Sequence, residues 1–435
     1  MTFMPHWPPA IGSRDVKFGL ERVRAGLAAM GDPHLRLPPV AHVAGTNGKG
    51  STVSYLRAIA EAAGYRVHCY TSPHFLHFNE RIRLAGALIG DDDLYRLMEE
   101  CRLRLDGMEL TFFEASTVAA FYAFASRDAD LLALETGMGG RLDATNVVAR
   151  PLVTVITPVS IDHAEFLGST VEKIAGEKAG IIKKDVPCVV SLQEDGAMDV
   201  IRNKAEDVGA PLFAYEYDWG LLPPSAEESR YRFVCSTGET PFPAPSLPGA
   251  HQLMNAGCAI AAAHVMRSAL PKISADAIAK GVATARWPGR LQWLTKGALA
   301  DKAKGGWRIL LDGAHNIAGA QTLADYLRDH VPGVPVYAVI GVTRGRDPAA
   351  LLRPLRGIAA KAFGVTVRTE PGSASGEEVA RAARAEGFDA EGCDDAGEAF
   401  DRLLASGAAP GVVVFFGSLY LVADMLRINK NEAIL

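Results

Sequence analysis

The six cysteines, at positions 69, 101, 188, 235, 258 and 393, include no C-x-x-C pair. That spacing excludes the common zinc and redox motifs and reads as reduced, mostly buried thiols of a cytoplasmic protein. Strong net charge is also missing. A balance of −5 over 435 residues gives no general electrostatic footprint for nucleic acid. No apolar run suits a bilayer. The longest, "GVVVFFGSLYLVADML", is broken by Gly417, Ser418 and Asp424 and reads as a buried strand followed by a helix. The opening "MTFMPHWPPA" lacks a basic region followed by an apolar run, so no secretory signal is expected. No internal repeat, low-complexity segment or G-x-S-x-G nucleophile elbow is found. What remains is ordinary globular composition, 49% hydrophobic and 22% charged, in a chain long enough for two domains.

Apolar runs alternate with helix-like segments, which predicts an α/β protein with largely parallel sheets. "PVAHVA" reads as a strand, followed by a glycine loop and a helix. In that helix Val53, Leu56, Ile59 and Ala63 share one face, and Gly64 is a natural stop. "LLALE" and "LVTVIT" read as further buried strands. Residues 218 to 248, rich in proline, read as an irregular or antiparallel excursion. A composition break falls at "RWPGRLQW", where a Pro-Gly pair suits a hinge. Beyond it the βα pattern restarts with "WRILLDGAHN", a helix from about Ile317, "VYAVIGV", "KAFGVTV" and "GVVVFFG". The expected boundary lies near residue 295, giving domains 1–295 and 296–435.

The stretch "HVAGTNGKGST" carries the clearest chemistry. It departs from the usual G-x-x-x-x-G-K-[ST] loop by one residue, because Gly50 follows Lys49 and the hydroxyls come at Ser51 and Thr52. Gly45, Gly48 and Gly50 let the backbone turn and approach an anion. The helix that follows offers free N–H groups. Lys49 can reach β and γ phosphates, and Ser51 or Thr52 can face magnesium. The competing reading is a plain glycine turn. In "ALETGMGGRLDATNV" a strand ends in Glu135, whose carboxylate suits Mg²⁺ at the carboxyl edge of a sheet. Read alone, it is equally an acid in solvent. "TPVSIDHAEFLGSTVEKIAGEKAGIIK" holds His163 and Lys178, and spacing does not separate Lys178 from Lys173. In "LDGAHN", Asp312 could hold a ribose hydroxyl and His315 could face phosphate. The alternative, a βα turn with an Asx-type hydrogen bond, is strong for that stretch alone.

Taken together these stretches resemble the folylpolyglutamate synthase/dihydrofolate synthase family of the Mur-ligase superfamily. "GTNGKGS", "TSPH", "LTFFE", "ETGMGGRLDATN", "DHAEFLG", "EKAGI", "HQLMNAGCA", "WPGR" and "DGAHN" stand in family order over nearly the whole chain. The resemblance makes Gly50 part of the superfamily's own phosphate loop. It implies an N-terminal P-loop ATPase-like domain with a mostly parallel sheet and a smaller C-terminal Rossmann-like α/β domain. By the same resemblance Gly48, Lys49, Gly50 and Ser51 would cradle ATP phosphates. Ser72, Glu135 and His163 would bind Mg²⁺, with two ions expected. Lys178 would carry a carbamate, which turns a cation into an anion beside the metals. Asn255, Arg290, Asp312 and His315 would contact ATP, with Lys49, Lys178 and His315 the catalytic set. Arg290 lies in the hinge, so domain closure would complete the nucleotide site. The implied reaction activates a substrate carboxylate as an acyl phosphate, which the amino group of L-glutamate then attacks.

Substrate range divides this family, since some members only extend folates and others also add the first glutamate to dihydropteroate. "KFGLERV" resembles the N-terminal wall of the dihydropteroate pocket and places Phe18, Gly19 and Leu20 there. Lys17 departs from the Asp often found at that motif's start. "LTFFEAST" resembles the second wall, where Thr111 would reach a pterin edge and Phe112 and Phe113 would stack. Periodicity alone reads those phenylalanines as core. Leu142 joins the substrate set. The expected partners are dihydropteroate, reduced folates and L-glutamate, with neither nucleic acid nor membrane, in a monomeric cytoplasmic protein. A cell-wall Mur ligase needs an extra N-terminal domain, for which a loop starting at Gly45 leaves no room. A regulatory P-loop switch is the remaining rival.

Overall fold

The computed structural model describes residues 17–225, 229–370 and 372–430. The opening stretch read for a secretory signal lies outside them. Two compact units divide the chain: Met1–Ser246 with Gln252–Arg286, and Leu247–His251 with Trp287–Leu435.

In the first unit the strands are Val40–Ala44 (β1), Val67–Tyr70 (β2), Ile82–Leu84 (β3), Ala87–Leu88 (β4), Leu131–Glu135 (β5), Val153–Ile156 (β6), Cys188–Val190 (β7) and Leu212–Ala214 (β8). They form one sheet in the order β4-β3-β2-β5-β1-β6-β7-β8. From β2 to β8 all pairings are parallel, and β3 and β4 add an antiparallel edge. Every residue of β1, β5 and β6 is buried, as expected where helices cover both faces of a parallel sheet. The chain runs from β1 toward β2 and β5 on one side, then toward β6, β7 and β8 on the other. The carboxyl end of β1 is therefore a topological switch point, where open α/β sheets bind ligands.

The helix after β1 spans Lys49–Ala62, with Val53, Leu56 and Ile59 fully buried and Gly64 left-handed beyond its end. The proline-rich excursion forms an antiparallel sheet of Trp219–Leu222 (β9), Tyr231–Cys235 (β10) and Gly238–Phe242 (β11). The glycine-punctuated sequence thus resolves as expected for an α/β protein.

The second unit holds Gln292–Leu294 (β12), Arg308–Leu311 (β13), Val336–Ile340 (β14), Ala359–Val365 (β15), Ala390–Cys393 (β16) and Val412–Phe416 (β17), ordered β12-β13-β17-β14-β15-β16. All pairings are parallel except that of the β12 edge. The long apolar run becomes β17 and the helix Leu419–Asn429. The six cysteines are free, and all but Cys235 are buried. Among the described residues no helix is long and apolar enough to cross a membrane.

Candidate active site

The glycine loop leaves β1 at the switch point of the first sheet. Gly45 (φ 153°) and Gly48 (φ 88°) occupy backbone conformations that side chains resist. A Cβ on Gly45 would stand 1.8 Å from Thr157 Oγ1, and one on Gly48 would stand 2.2 Å from Asn255 Oδ1. Both positions therefore require glycine on two counts, conformation and space. The loop is pinned by Thr46 N and Asn47 N, which donate to Pro158 O at 3.0 and 3.2 Å. Gly48 caps the helix without any side-chain acceptor, so its first N–H groups stay available for an anion. The hydroxyls of Ser51 and Thr52 are buried and have no hydrogen-bond partner among the described residues. Orphaned hydroxyls at a helix N-terminus fit a loop shaped around phosphate and its cation.

Two lysines converge on this loop. Lys49 Nζ donates to Gly45 O at 3.0 Å and Thr46 O at 3.1 Å. Lys178 Nζ, from the helix Val171–Ala179, donates to the same Gly45 O at 2.8 Å. Lys178 is 4% exposed, whereas Lys173 is exposed, so the structure separates the two lysines. Burial, reinforced by the charge of Lys49 and opposed by Asp162 and Asp143, lowers the Lys178 pKa to about 7. Burial thus favours the neutral, nucleophilic form of this amine over the ordinary lysine cation.

The carboxyl ends of β2, β5, β1 and β6 lie side by side, and each delivers a predicted residue. Glu135 ends β5, is 4% exposed, and its Oε2 accepts from Ser72 N at 3.1 Å. Ser72 follows β2. His163 follows β6, on the other side of β1, in a left-handed conformation (φ 50°) as the cap of the one-turn helix Ala164–Leu167. Non-glycine residues adopt that conformation at a cost, often at functional sites. No group of three or more His, Cys, Asp or Glu side chains gathers in metal-holding geometry among the described residues. The donors present are sparse and mostly oxygen, a set that suits Mg²⁺ completed by water and phosphate rather than zinc.

Asp143 was not singled out in the sequence, yet it organises the loop after Glu135. Its Oδ2 accepts from Gly137 N (2.9 Å) and Met138 N (2.8 Å), and its Oδ1 from Thr145 N (3.0 Å) and Thr145 Oγ1 (2.5 Å). Burial pushes its carboxyl upward against those hydrogen bonds. Because Thr145 donates its hydroxyl to Asp143, it accepts from His42 Nε2 at 2.9 Å. His42 is fully buried and its pKa falls to about 3, so the β1 strand is tied to this loop by a neutral imidazole. A D-x-T pattern inside "GRLDATN" was the available signal for Asp143.

The two expected substrate walls meet through one residue of each quoted stretch, Arg22 of "KFGLERV" and Glu114 of "LTFFEAST". Arg22 grips Glu114 through both oxygens, at 2.7 and 3.2 Å, and also donates to Lys17 O at 2.5 Å. This ties the segment carrying Phe18, Gly19 and Leu20 to the start of the helix Phe112–Ala125. Thr111 caps that helix by accepting from Glu114 N at 3.2 Å, so its hydroxyl has a structural duty before any ligand arrives. Phe112 and Phe113 pack partly buried against the core. Phe112 lies under the Arg81 guanidinium, 5.2 Å from its ring centre. Phe113 lies against Gly137, where a Cβ would come within 2.4 Å of the ring. Phe113 thus borders the Glu135 loop, while Phe112 faces the 75–81 segment. Leu142 is half-buried beside Asp143.

Asn255 is 3% exposed, abuts Gly48, and donates to Gln252 Oε1 at 3.0 Å. In the second unit Asp312, Gly313 and His315 follow β13, at the carboxyl end of the outermost parallel strand on the β12 side. Asp312 accepts from Ala314 N and Leu291 N, both at 2.8 Å. The first contact is the Asx-type bond that the alternative reading foresaw. Burial raises the Asp312 pKa, and Arg290 and the two amides act the other way. His315 Nδ1 lies 2.7 Å from Gly313 O and so donates to it. Arg290 Nη1 donates to Gly289 O at 3.1 Å.

Comparison with known proteins agrees with this geometry. Residues 43–263 match the family described as Mur ligase middle domain, and residues 295–428 match dihydrofolate synthetase, C-terminal domain. The dihydrofolate synthase/folylpolyglutamate synthase of Bacillus subtilis is 36% identical over 354 residues, 79% of this chain and 80% of the relative. The structure of E. coli FolC in complex with DHPP and ADP aligns with a TM-score of 0.82 and 30% identity, covering 96% of this chain and 94% of that one. A bifunctional folylpolyglutamate synthase/dihydrofolate synthase solved with Mn, AMPPNP and L-glutamate aligns at 0.81 and 30% identity, covering 94% of each chain. The chain belongs to the folylpolyglutamate synthase/dihydrofolate synthase family of the Mur ligases and is an ATP-dependent acid–amino-acid ligase.

Proposed function

We propose that this ligase adds L-glutamate to dihydropteroate and also lengthens the glutamate tail of reduced folates. The observation that carries the chemistry is the meeting of Lys49 and Lys178 on the Gly45 carbonyl, beneath a helix start with open amides. A substrate carboxylate oxygen attacks the γ-phosphorus of ATP, and ADP leaves. The amine of L-glutamate then attacks the acyl carbon, phosphate departs, and the amine's proton is lost. Gly48, Gly50 and Ser51 hold the phosphates through amides and a hydroxyl, and Lys49 leaves its loop carbonyls to follow the developing charge. A divalent ion supplies further charge neutralisation when bound, and Ser72, Glu135 and His163 are the residues to hold it. The related enzyme with Mn, AMPPNP and L-glutamate supports a nucleotide–metal pair, and we assign two Mg²⁺ ions here. Asn255, Arg290, Asp312 and His315 complete the nucleotide contacts.

Lys178 is assigned as a carbamate. A neutral amine is what adds to CO2, releasing one proton and leaving an anion beside the metal residues. A pKa lowered to about 7 makes that amine available under physiological conditions. Phe18, Gly19, Leu20, Thr111, Phe113 and Leu142 are assigned to the carboxylate substrate, with Phe112 supporting them. The assembly is proposed to act as a cytoplasmic monomer.

The reading of dual substrate use rests on the two walls being locked together by Arg22 and Glu114. It predicts glutamate-dependent ADP release with dihydropteroate and, separately, with tetrahydrofolate. Release with tetrahydrofolate alone would reduce the enzyme to a tail-extending synthase.

A further inference from the structure

Phe166 lies in "DHAEFLG", between the proposed metal residue His163 and the buried anchor Leu167. The one-turn helix Ala164–Leu167 buries Leu167 and turns Phe166 outward, 39% exposed. Phe18, from the far end of the unit's sequence, is 45% exposed. The two rings meet edge to face, 6.2 Å between centres at 62°. Ile161, on the same loop as Phe166, is 51% exposed. Neither ring is needed by the core, and each is held on a fixed backbone. Arg22 binds Lys17 O beside Phe18, and the amides of Phe166 and Leu167 both donate to His163 O at 2.9 Å. An edge-to-face pair leaves ring surface open for a further flat group.

We propose that Phe166 pairs with Phe18 to seat the flat heteroaromatic ring system of the carboxylate substrate, making Phe166 a specificity residue of the ligase. The inference rests on the proposed folate-type substrate. Phe18 belongs to a wall already assigned to that substrate, and its ring partner shares whatever lies upon it. Phe166 is also three residues from His163, so a ring seated there fixes how far the reacting carboxylate reaches toward the phosphate loop. A lone exposed phenylalanine would carry no such meaning. Two held in contact, from segments far apart in sequence, form a surface with a shape.

The test uses the full-length protein with ATP, Mg²⁺, L-glutamate and dihydropteroate. Phe166→Ala is expected to raise the KM for dihydropteroate about five- to tenfold, the range for losing one aromatic contact. Its kcat and its KM values for ATP and L-glutamate are expected to stay within about twofold. Phe166→Trp should restore the dihydropteroate KM. Calorimetric binding of dihydropteroate in the presence of a non-hydrolysable ATP analogue should weaken in parallel. An unchanged dihydropteroate KM in Phe166→Ala, with a working wild-type enzyme, would overturn the inference and leave the proposed function standing. A fall in kcat or a changed Mg²⁺ requirement at constant KM would also overturn it, because it would show that Phe166 merely supports His163. With a wild type active on tetrahydrofolate alone, the same comparison is read on that acceptor, and turnover of neither acceptor would remove both readings.

Discussion

Lys178→Ala is expected to be nearly inactive, and Lys178→Arg no better. The wild-type amine is buried, donates to the Gly45 carbonyl at 2.8 Å, and has its pKa lowered to about 7. If only a cation were needed there, arginine would supply one at every pH. If a carbamate is needed, arginine fails because its guanidinium does not add CO2. Short carboxylic acids are then expected to restore part of the activity of the Ala variant by standing in for the lost anion. Carbon-13 NMR with labelled CO2 should show a carbamate signal in the wild type that is missing from Lys178→Arg. Loading should rise as the pH passes upward through about 7, where the amine becomes neutral. Full activity in the Arg variant would show that positive charge suffices.

The same burial makes a stability statement of opposite sign. The folded pKa of Lys178 lies below its ordinary 10.5, so the unfolded chain holds the proton more tightly. The cost of the buried charge is complete below about pH 7 and is relieved as the pH climbs toward 10.5. In CO2-free buffer, Lys178→Met should therefore melt higher than wild type, with the gap narrowing on the alkaline side. A residue that destabilises its own fold and abolishes activity when removed is acting for function.

Lys49→Ala should leave the fold intact and lower turnover by about 10²–10³ or more, the scale for losing one preorganised charge-stabilising donor. Its side chain is half-buried and, among the described residues, its ammonium donates to the loop carbonyls Gly45 O and Thr46 O. That loop is held independently by Pro158 O and by the glycine geometry at 45 and 48. Removing the side chain therefore takes away a mobile charge rather than a packing element. Near-normal turnover by a folded Lys49→Ala protein would contradict the phosphate-loop assignment.

The glycine loop could be read from sequence because its demands are local. Gly45 and Gly48 answer to backbone conformation, and the strand before and helix after are written in apolar spacing. Glu135 could be read for a similar reason, since a strand that ends in an acid places it at the sheet edge. Lys178 was only half legible. Spacing leaves Lys178 and Lys173 equivalent, and only the folded helix shows Ile174, Ala175, Lys178 and Ala179 on its buried face while Lys173 faces out. Asp143 draws its partners from residues 137, 138 and 145, and only a folded loop brings them together. Arg22 and Glu114 stand 92 residues apart, a distance over which sequence pattern says nothing. β12, three residues long, is too short to show any period. Asp312 kept two readings open, and its carboxylate uses both oxygens on backbone amides before any nucleotide is considered.

The central claim is that this chain forms an amide between a folate-type carboxylate and L-glutamate at the expense of ATP. Mass spectrometry of the products tests it most directly. The purified protein is incubated with ATP, Mg²⁺ and L-glutamate, once with dihydropteroate and once with tetrahydrofolate. The account predicts product heavier by one glutamate residue in each case, with ADP and phosphate formed in equal amounts and none without glutamate. ADP formed without any glutamylated product from either acceptor would contradict it.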